Sequence, residues 1–122
     1  MYFKDNEFSN KSKLSLKLIH NLEAFRGALG QPIIITADYA TTGHSRNSYH
    51  YKGMAIDGTT NASLRMFIDL ATKYFTGIGI YLSPISGDIE FFHLDIREES
   101  PTMWVGVLKE DGTSNNIYNV GK

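Results

Sequence analysis

The chain has 122 residues and a formal net charge of -1, from 12 basic and 13 acidic side chains. This length fits a single domain, predicted here at residues 1–122 with a core at about 12–107 and a polar C-terminal tail. The chain has no cysteine, which excludes a disulfide framework and any thiolate metal site. The balanced charge argues against a nucleic-acid partner, which needs a basic face, and no apolar run is long enough to span a membrane.

The N-terminal third predicts a helix followed by a strand. Residues 12–29 carry apolar side chains at steps of three and four, the spacing of an amphipathic helix. These side chains are Leu14, Leu18, Leu22, Phe25 and Leu29. Gly30 is a typical helix stop, and Pro32 lies beyond the end. Residues 33–36 are mostly β-branched and predict a buried strand.

The polar segment 38–52 predicts a long loop. Long loops are uncommon in small domains unless they are functional, so we expect the chemistry of the protein there.

The remaining sequence predicts a second helix and most of a sheet. A short strand at residues 54–57 ends at Gly58, and Thr60 or Asn61 is the predicted N-cap of the helix. The apolar face of that helix carries Leu64, Phe67, Ile68 and Ala71. Further strands are predicted at residues 77–82 and 89–96, with an edge strand at 103–107 and a loosely ordered tail from 111. This order predicts an α+β fold, with a small, mostly antiparallel sheet flanked by two main helices.

Two segments contain the residue types of a metal site. In residues 48–57, six residues separate His50 from Asp57, and Gly53 allows the chain to turn between them. A catalytic zinc ion needs three protein ligands and one open position, which two histidines and a carboxylate can supply without cysteine. In the second segment, residues 90–95, His93 and Asp95 are two residues apart and share a strand face, so Asp95 could orient His93. Glu90 lies an odd step from His93, so the two share a site only if the backbone bends there or if Glu90 lies at the strand's entry from the turn.

These segments resemble a known family. The chain resembles the zinc D-alanyl-D-alanine peptidases in two motifs. These are Ser-x-His-x-x-Gly-x-Ala-x-Asp at residues 48–57 and Glu-aromatic-aromatic-His at residues 90–93. That family includes D,D-dipeptidases, D,D-carboxypeptidases and phage L-alanyl-D-glutamate endolysins, and it shares its fold with hedgehog signalling domains. The likeness extends to the strand at 34–39 and to the His-x-Asp-x-Arg ending at 93–97. It covers roughly residues 12–107.

The resemblance implies an activity and assigns residues to it. His50, Asp57 and His93 would bind Zn²⁺, and Glu90 would be the catalytic base. The implied substrate is a peptidoglycan stem peptide, cut either at its D-alanyl-D-alanine end or at an internal L-alanyl-D-glutamate bond. Ser48 or Arg46 would help to stabilise the tetrahedral oxyanion.

The chain departs from the family pattern at one position. Relatives have an arginine after the tyrosine of the strand at 34–39, where it helps to hold the substrate, whereas this chain has Ala40. Arg46, six residues later in the same loop, is a candidate to supply that charge.

Two functional interpretations stay open at this point. The first is an endolysin-like hydrolase, which we expect to be a monomer made without a signal peptide. Such a protein would act on the cell wall after release, during phage lysis or as part of a virion. The second is a hedgehog-like zinc-binding interaction domain without hydrolytic activity. Glu90 favours the enzyme, and the missing arginine at Ala40 favours the interaction domain. His44, in the same loop, is only a weak candidate for substrate contact.

Overall fold

The computed structural model describes residues 1–44 and 47–119, and its main elements are two helices and one sheet. The helices are α1 (Leu16–Leu29) and α2 (Leu64–Tyr74). The strands are β1 (Ile33–Ala37), β2 (Ala55–Thr60), β3 (Gly77–Leu82), β4 (Ile89–Asp95), β5 (Thr102–Leu108) and β6 (Ser114–Tyr118). Short 3-10 helices cover Asp5–Glu7, Lys11–Lys13 and Tyr49–Lys52. The predicted α+β fold is therefore confirmed.

Serine side chains set where both helices begin. The Ser15 side chain accepts a hydrogen bond from the backbone N–H of Leu18, so α1 begins later than the predicted residue 12. Ser63 caps α2 in the same way, while the predicted cap Thr60 is the last residue of β2. Gly30 ends α1 in a left-handed conformation with φ of 68°, as its position predicts.

The six strands form one sheet in the order β1-β2-β4-β3-β5-β6. All neighbouring pairs are antiparallel except β3 and β5, which are parallel. The segment 103–107 was predicted as an edge strand, but β5 pairs on both sides, since the polar residues of β6 add one more strand. Backbone pairing at an edge does not require apolar side chains, which is why the polar composition of the tail did not indicate a strand.

The two faces of the sheet differ in composition. One face packs against the helices through a buried core that includes Ile56, Ile78, Ile80, Phe92 and Leu94. Phe67 of α2 contacts both Phe25 of α1 and Phe92 of β4, with ring centroids 5.4 and 4.8 Å apart. Because side chains alternate along a strand, the residues between these core positions lie on the opposite, open face.

The core also includes residues before the predicted limit of residue 12. Phe3 and Phe8 are buried and contact each other with ring centroids 5.6 Å apart. The N-terminal segment therefore packs as part of the domain. Within the described part of the chain, neither helix combines the length and the apolar character that crossing a bilayer requires.

Candidate metal centre

The open face carries a row of residues that runs straight across four strands. Asp57 of β2 pairs with His93 of β4, which pairs with Gly79 of β3, which pairs with Trp104 of β5. A Cβ atom at position 79 would collide with the indole of Trp104, so the glycine allows that ring to lie across β3. As a result, the Trp104 and His93 rings come within 5.4 Å, centroid to centroid.

The loop before β2 brings His50 to the end of this row. Ser48 begins the 3-10 helix Tyr49–Lys52, and its hydroxyl accepts a hydrogen bond from the backbone N–H of His50 at 3.2 Å. Gly53 ends that helix with φ of 67°, and its backbone N–H bonds back to the carbonyl of His50. A side chain at position 53 would also collide with the backbone of Lys13. The sequence therefore fixes the loop at both ends of the segment that carries His50.

Both histidines direct one ring nitrogen at the same carboxylate oxygen. His50 Nε2 lies 3.1 Å and His93 Nδ1 lies 3.0 Å from Oδ1 of Asp57. The other nitrogen of each ring is already committed to an acceptor. His50 Nδ1 donates to the carbonyl oxygen of Asp38 at 2.8 Å, and His93 Nε2 donates to Oδ2 of Asp95 at 2.7 Å. In a neutral imidazole only one nitrogen carries a proton, so the two nitrogens near Asp57 then present lone pairs to it.

This donor arrangement fits a metal ion. When both rings are neutral, their lone pairs and the carboxylate oxygen would repel one another, and a cation between them would turn the repulsion into bonds; without an ion, the rings hydrogen-bond to Asp57 instead. Tetrahedral bonds of 2.0–2.1 Å to Zn²⁺ place neighbouring ligand atoms about 3.3 Å apart, close to the 3.1 and 3.0 Å that separate His50 Nε2 and His93 Nδ1 from Asp57 Oδ1. An acceptor on the far nitrogen of each histidine is also the usual support for a metal ligand. His50, Asp57 and His93 are therefore the candidate ligands for one ion, and their role as ligands stays a prediction.

Asp95 is the support for His93, in the position that the two-residue spacing predicts. Its carboxylate is fully buried and accepts hydrogen bonds from the backbone N–H, Nε and Nη2 of Arg97 at 3.1, 2.9 and 2.7 Å. A Cβ atom at the neighbouring Gly77 would collide with this carboxylate, so the glycine makes room for it. The pKa of Asp95 falls to about 2, because the hydrogen bonds from Arg97 and His93 outweigh the burial that by itself would raise it.

Hydrogen bonding also decides the charge states at Asp57 and His93. Burial by itself raises the pKa of Asp57, but the hydrogen bonds from His50 and His93 outweigh it and lower the pKa well below its usual range. Burial by itself lowers the pKa of His93, yet its bonds to Asp57 and Asp95 raise it. The protein without metal thus keeps Asp57 ionised, which is the state that binds a cation.

A cavity of about 470 Å³ lies above the three candidate ligands. Its wall contains Arg97 and, besides the histidines, four aromatic side chains, Tyr49, Tyr81, Phe91 and Trp104. The Tyr81 and Phe91 rings stack with centroids 4.4 Å apart, and the indole N–H of Trp104 donates to the Tyr81 hydroxyl at 2.9 Å. Ser48 also lines this cavity. The arrangement gives the metal centre an open approach with a mostly rigid wall.

One residue of the site, Asp38, escaped the sequence analysis, and another, His44, was named only as a candidate for substrate contact. Asp38 contributes a backbone carbonyl, which no side-chain pattern can indicate. His44 also lines the cavity, and one of its ring nitrogens lies close enough to His50 and Asp57 for the three to share an ion. The only sequence signal for His44 was its presence in the functional loop.

One predicted residue, Glu90, lies away from the candidate ligands. Glu90 is exposed at a bulge where β4 has one more residue than β3, between the pairs Tyr81–Phe91 and Leu82–Ile89. It lines a separate depression with Ile34 and Thr59, among others, and not the cavity above the metal ligands. The backbone irregularity that Glu90 needed does occur, but it does not turn Glu90 to His93. Arg46 lies outside the described residues.

The fold and the donor groups on the open face of its sheet define an α+β protein with a candidate metal site. A family model described as Peptidase M15 matches residues 3–95, so the chain belongs to the peptidase M15 family. Comparison with curated proteins gave no match, and neither did comparison with solved structures.

Proposed function

We propose that this protein is a zinc-dependent peptidase that hydrolyses the stem peptides of peptidoglycan. The observation that carries the proposal is the convergence of His50 Nε2 and His93 Nδ1 on one oxygen of Asp57 beneath an open cavity. Membership of the peptidase M15 family supports the reaction class. The bond cut is either the terminal D-alanyl-D-alanine bond or the internal L-alanyl-D-glutamate bond.

The chain's own residues hold and orient the centre. A bound zinc ion would lower the pKa of a water molecule toward ~7 and polarise the scissile carbonyl. Asp38 and Asp95 fix the ring orientations of His50 and His93, so that the nitrogens facing Asp57 stay available. Ser48 fixes the backbone of His50 and lies in the cavity wall, where its hydroxyl is our candidate for a contact to the oxyanion. Arg46 remains a proposed contact on the same loop.

The cavity suits a short peptide with a carboxylate. The stacked rings of Tyr81 and Phe91 offer a flat apolar wall, and the Arg97 guanidinium lies near the Trp104 ring, 5.5 Å from its centroid. Stem peptides have small alanyl side chains and several carboxylates, which match such a wall and a nearby cation. We further propose that the protein works as a monomer on the cell wall, reached after release during phage lysis or from a virion.

A second candidate function follows from the position of Glu90. Hydrolysis needs a group that accepts the proton of the attacking water, and Glu90 was the predicted base. Because it lines another depression, the geometry lends weight to a zinc-binding interaction domain without hydrolytic activity. In that case the cavity would bind a peptide segment of a partner without cutting it.

The decisive experiment measures zinc content and peptidoglycan hydrolysis on the same samples. The wild-type protein is compared with His50→Ala and with His20→Ala, a control at an exposed position of α1. We expect about one zinc per chain and new peptide ends for the wild type and the control, and neither for His50→Ala. Mass spectrometry of the products then identifies the bond.

Each alternative has its own result in this experiment. Zinc binding that depends on His50 without any new peptide ends would support the interaction domain. A wild-type protein that binds no zinc would refute both functions.

A further inference from the structure

His44 lies directly against the proposed zinc ligands. Its ring stacks on the His50 ring with centroids 4.0 Å apart and an interplanar angle of 15°. One ligand atom each from His44, His50 and Asp57 lie within 4.8 Å of one another. His93 Nδ1 lies 3.0 Å from Oδ1 of the same Asp57, so this carboxylate is common to all three histidines.

The loop holds His44 at this place through an unusual double contact. The hydroxyl of Tyr51 accepts a hydrogen bond from the backbone N–H of His44 at 2.9 Å and donates one to its carbonyl oxygen at 2.8 Å. The two rings also meet edge to face, with centroids 6.0 Å apart. Tyr51 lies in the 3-10 helix that carries His50, so both histidines are fixed relative to each other by the same short element.

We propose that His44 is a fourth protein ligand of the metal in the resting protein. The inference rests on the proposed zinc site, and it concerns the position that a catalytic zinc ion leaves open for water. With His44 bound there, His44, His50, Asp57 and His93 complete a tetrahedral set of nitrogen and oxygen donors. Hydrolysis then requires that the His44 ring leave the metal.

The stacking geometry identifies His44 as the ligand that leaves. Two nearly parallel rings cannot both contain the same ion in their planes, so the His44 ring must tilt to direct its lone pair at an ion bound to His50. His50 and His93 each have a buried acceptor on the far nitrogen, whereas the ring of His44 is held by stacking and by its backbone. Its bond to the metal is therefore the weakest of the four.

The test compares zinc affinity in three variants of the whole protein. Zinc alone is the probe, and its dissociation constant is measured by competition with a chromophoric chelator for His44→Ala, His50→Ala and the control His20→Ala. We expect His44→Ala to weaken zinc binding about tenfold and His50→Ala to weaken it far more. Removing the hydrogen-bond partner of a metal ligand typically weakens metal binding 10–100-fold, and we use this range as the scale for losing the weakest ligand. His20→Ala should bind as the wild type does.

Cobalt provides a second readout that does not depend on activity. Co²⁺ substituted for zinc has visible absorption bands that change when a water molecule replaces a nitrogen ligand. His44→Ala should shift these bands, and added imidazole should shift them back by filling the vacant position. Tyr51→Phe, which removes both hydrogen bonds to His44 while keeping the ring, should give a mixture of the two spectra.

The outcomes separate this inference from the proposed function. If His44→Ala binds zinc as tightly as the wild type and has the same cobalt spectrum, while His50→Ala loses both, His44 is not a ligand and the zinc site stands. If the wild type binds no zinc, both proposals are refuted.

Discussion

Replacing Asp95 by asparagine tests whether the support of His93 controls the metal centre. The carboxylate accepts one hydrogen bond from His93 and three from Arg97. Asparagine has the same shape, but one of its two terminal groups is an NH₂ donor. The NH₂ group must face either His93 or Arg97, and both of these side chains are donors. At least one buried contact would therefore place two N–H groups against each other with no acceptor between them.

The structure sets the size of the effect. Removing one partner of a buried charge pair typically costs 3–5 kcal/mol, and Arg97 is partly exposed, so we expect a loss of about 2–3 kcal/mol in the free energy of unfolding. His93 also loses the acceptor that selects its protonated nitrogen. Losing such a support typically weakens metal binding 10–100-fold, and we expect the same here.

Two assays on Asp95→Asn measure these effects separately. Urea unfolding of the metal-free protein gives the stability change, and chelator competition gives the zinc dissociation constant. Asp69→Asn is the matched control, because Asp69 lies on the exposed side of α2 and its nearest cation, Arg65, is 3.9 Å away. Wild-type zinc affinity in Asp95→Asn would refute the role assigned to Asp95, whatever the stability change.

Three further predictions follow from the same geometry. Gly77→Ala places a Cβ atom against the Asp95 carboxylate, so we expect weaker zinc binding and a loss of at least about 2 kcal/mol in the free energy of unfolding, measured in urea. Gly27→Ala is the control and should change neither quantity, because its Cβ atom would meet only the exposed ring of Tyr2. Unchanged zinc affinity in Gly77→Ala would contradict the role of Asp95 as the support of His93. The lowered pKa of Asp95, about 2 in the folded protein against an ordinary 3.8, means that its contribution is complete above pH 4 and is lost as the pH falls toward 2. The metal-free wild type should therefore lose about 2 kcal/mol more than Asp95→Asn between pH 5 and pH 2, and parallel curves would show that the carboxylate is not the cause. Glu90→Gln should retain zinc and any hydrolysis, because Glu90 lies in another depression, and a protein that keeps zinc but loses hydrolysis would restore Glu90 as the base.

The sequence was sufficient to predict both helices and the central strands, and to nominate three candidate ligands. Apolar spacing identified both helices, and β-branched runs identified the central strands, since burial on one face leaves a periodic pattern. His50, Asp57 and His93 were found because a motif of fixed spacing places them at a loop and on neighbouring strands. In the structure one ring nitrogen of each histidine lies close to Asp57 Oδ1, and their role as metal ligands stays a prediction.

The sequence did not predict contacts that depend on the path of the backbone. The carbonyl of Asp38 orients His50, and a carbonyl is present at every residue, so nothing distinguishes this one in the sequence. The placement of His44 depends on the Tyr51 hydroxyl, which folds the loop back by seven residues. Glu90 was misjudged for a related reason, because a one-residue bulge can turn a side chain in a direction that strand alternation does not give.

The glycines of β3 show how the open face becomes a site. Gly77 and Gly79 alternate with Ile78 and Ile80, so the isoleucines fill the core while the glycines leave the opposite face bare. Larger side chains from the neighbouring strands then lie across the gap, Asp95 over Gly77 and Trp104 over Gly79. The sequence predicted this segment as a strand. It did not show which side chains would lie over the glycines, because that depends on which strands flank β3.

The charges around the centre connect this architecture to the proposed substrate. Asp57 and Asp95 each contribute one negative charge, and Arg97, which bonds to Asp95, contributes one positive charge. These described side chains together carry one net negative charge, which attracts a divalent cation, and with the cation bound the group carries one net positive charge. A positive centre at the floor of a partly apolar cavity favours an anion, either a hydroxide or the carboxylate of a peptide. Under the proposed function, the side chains that would hold the metal would therefore also favour an acidic peptide in the cavity.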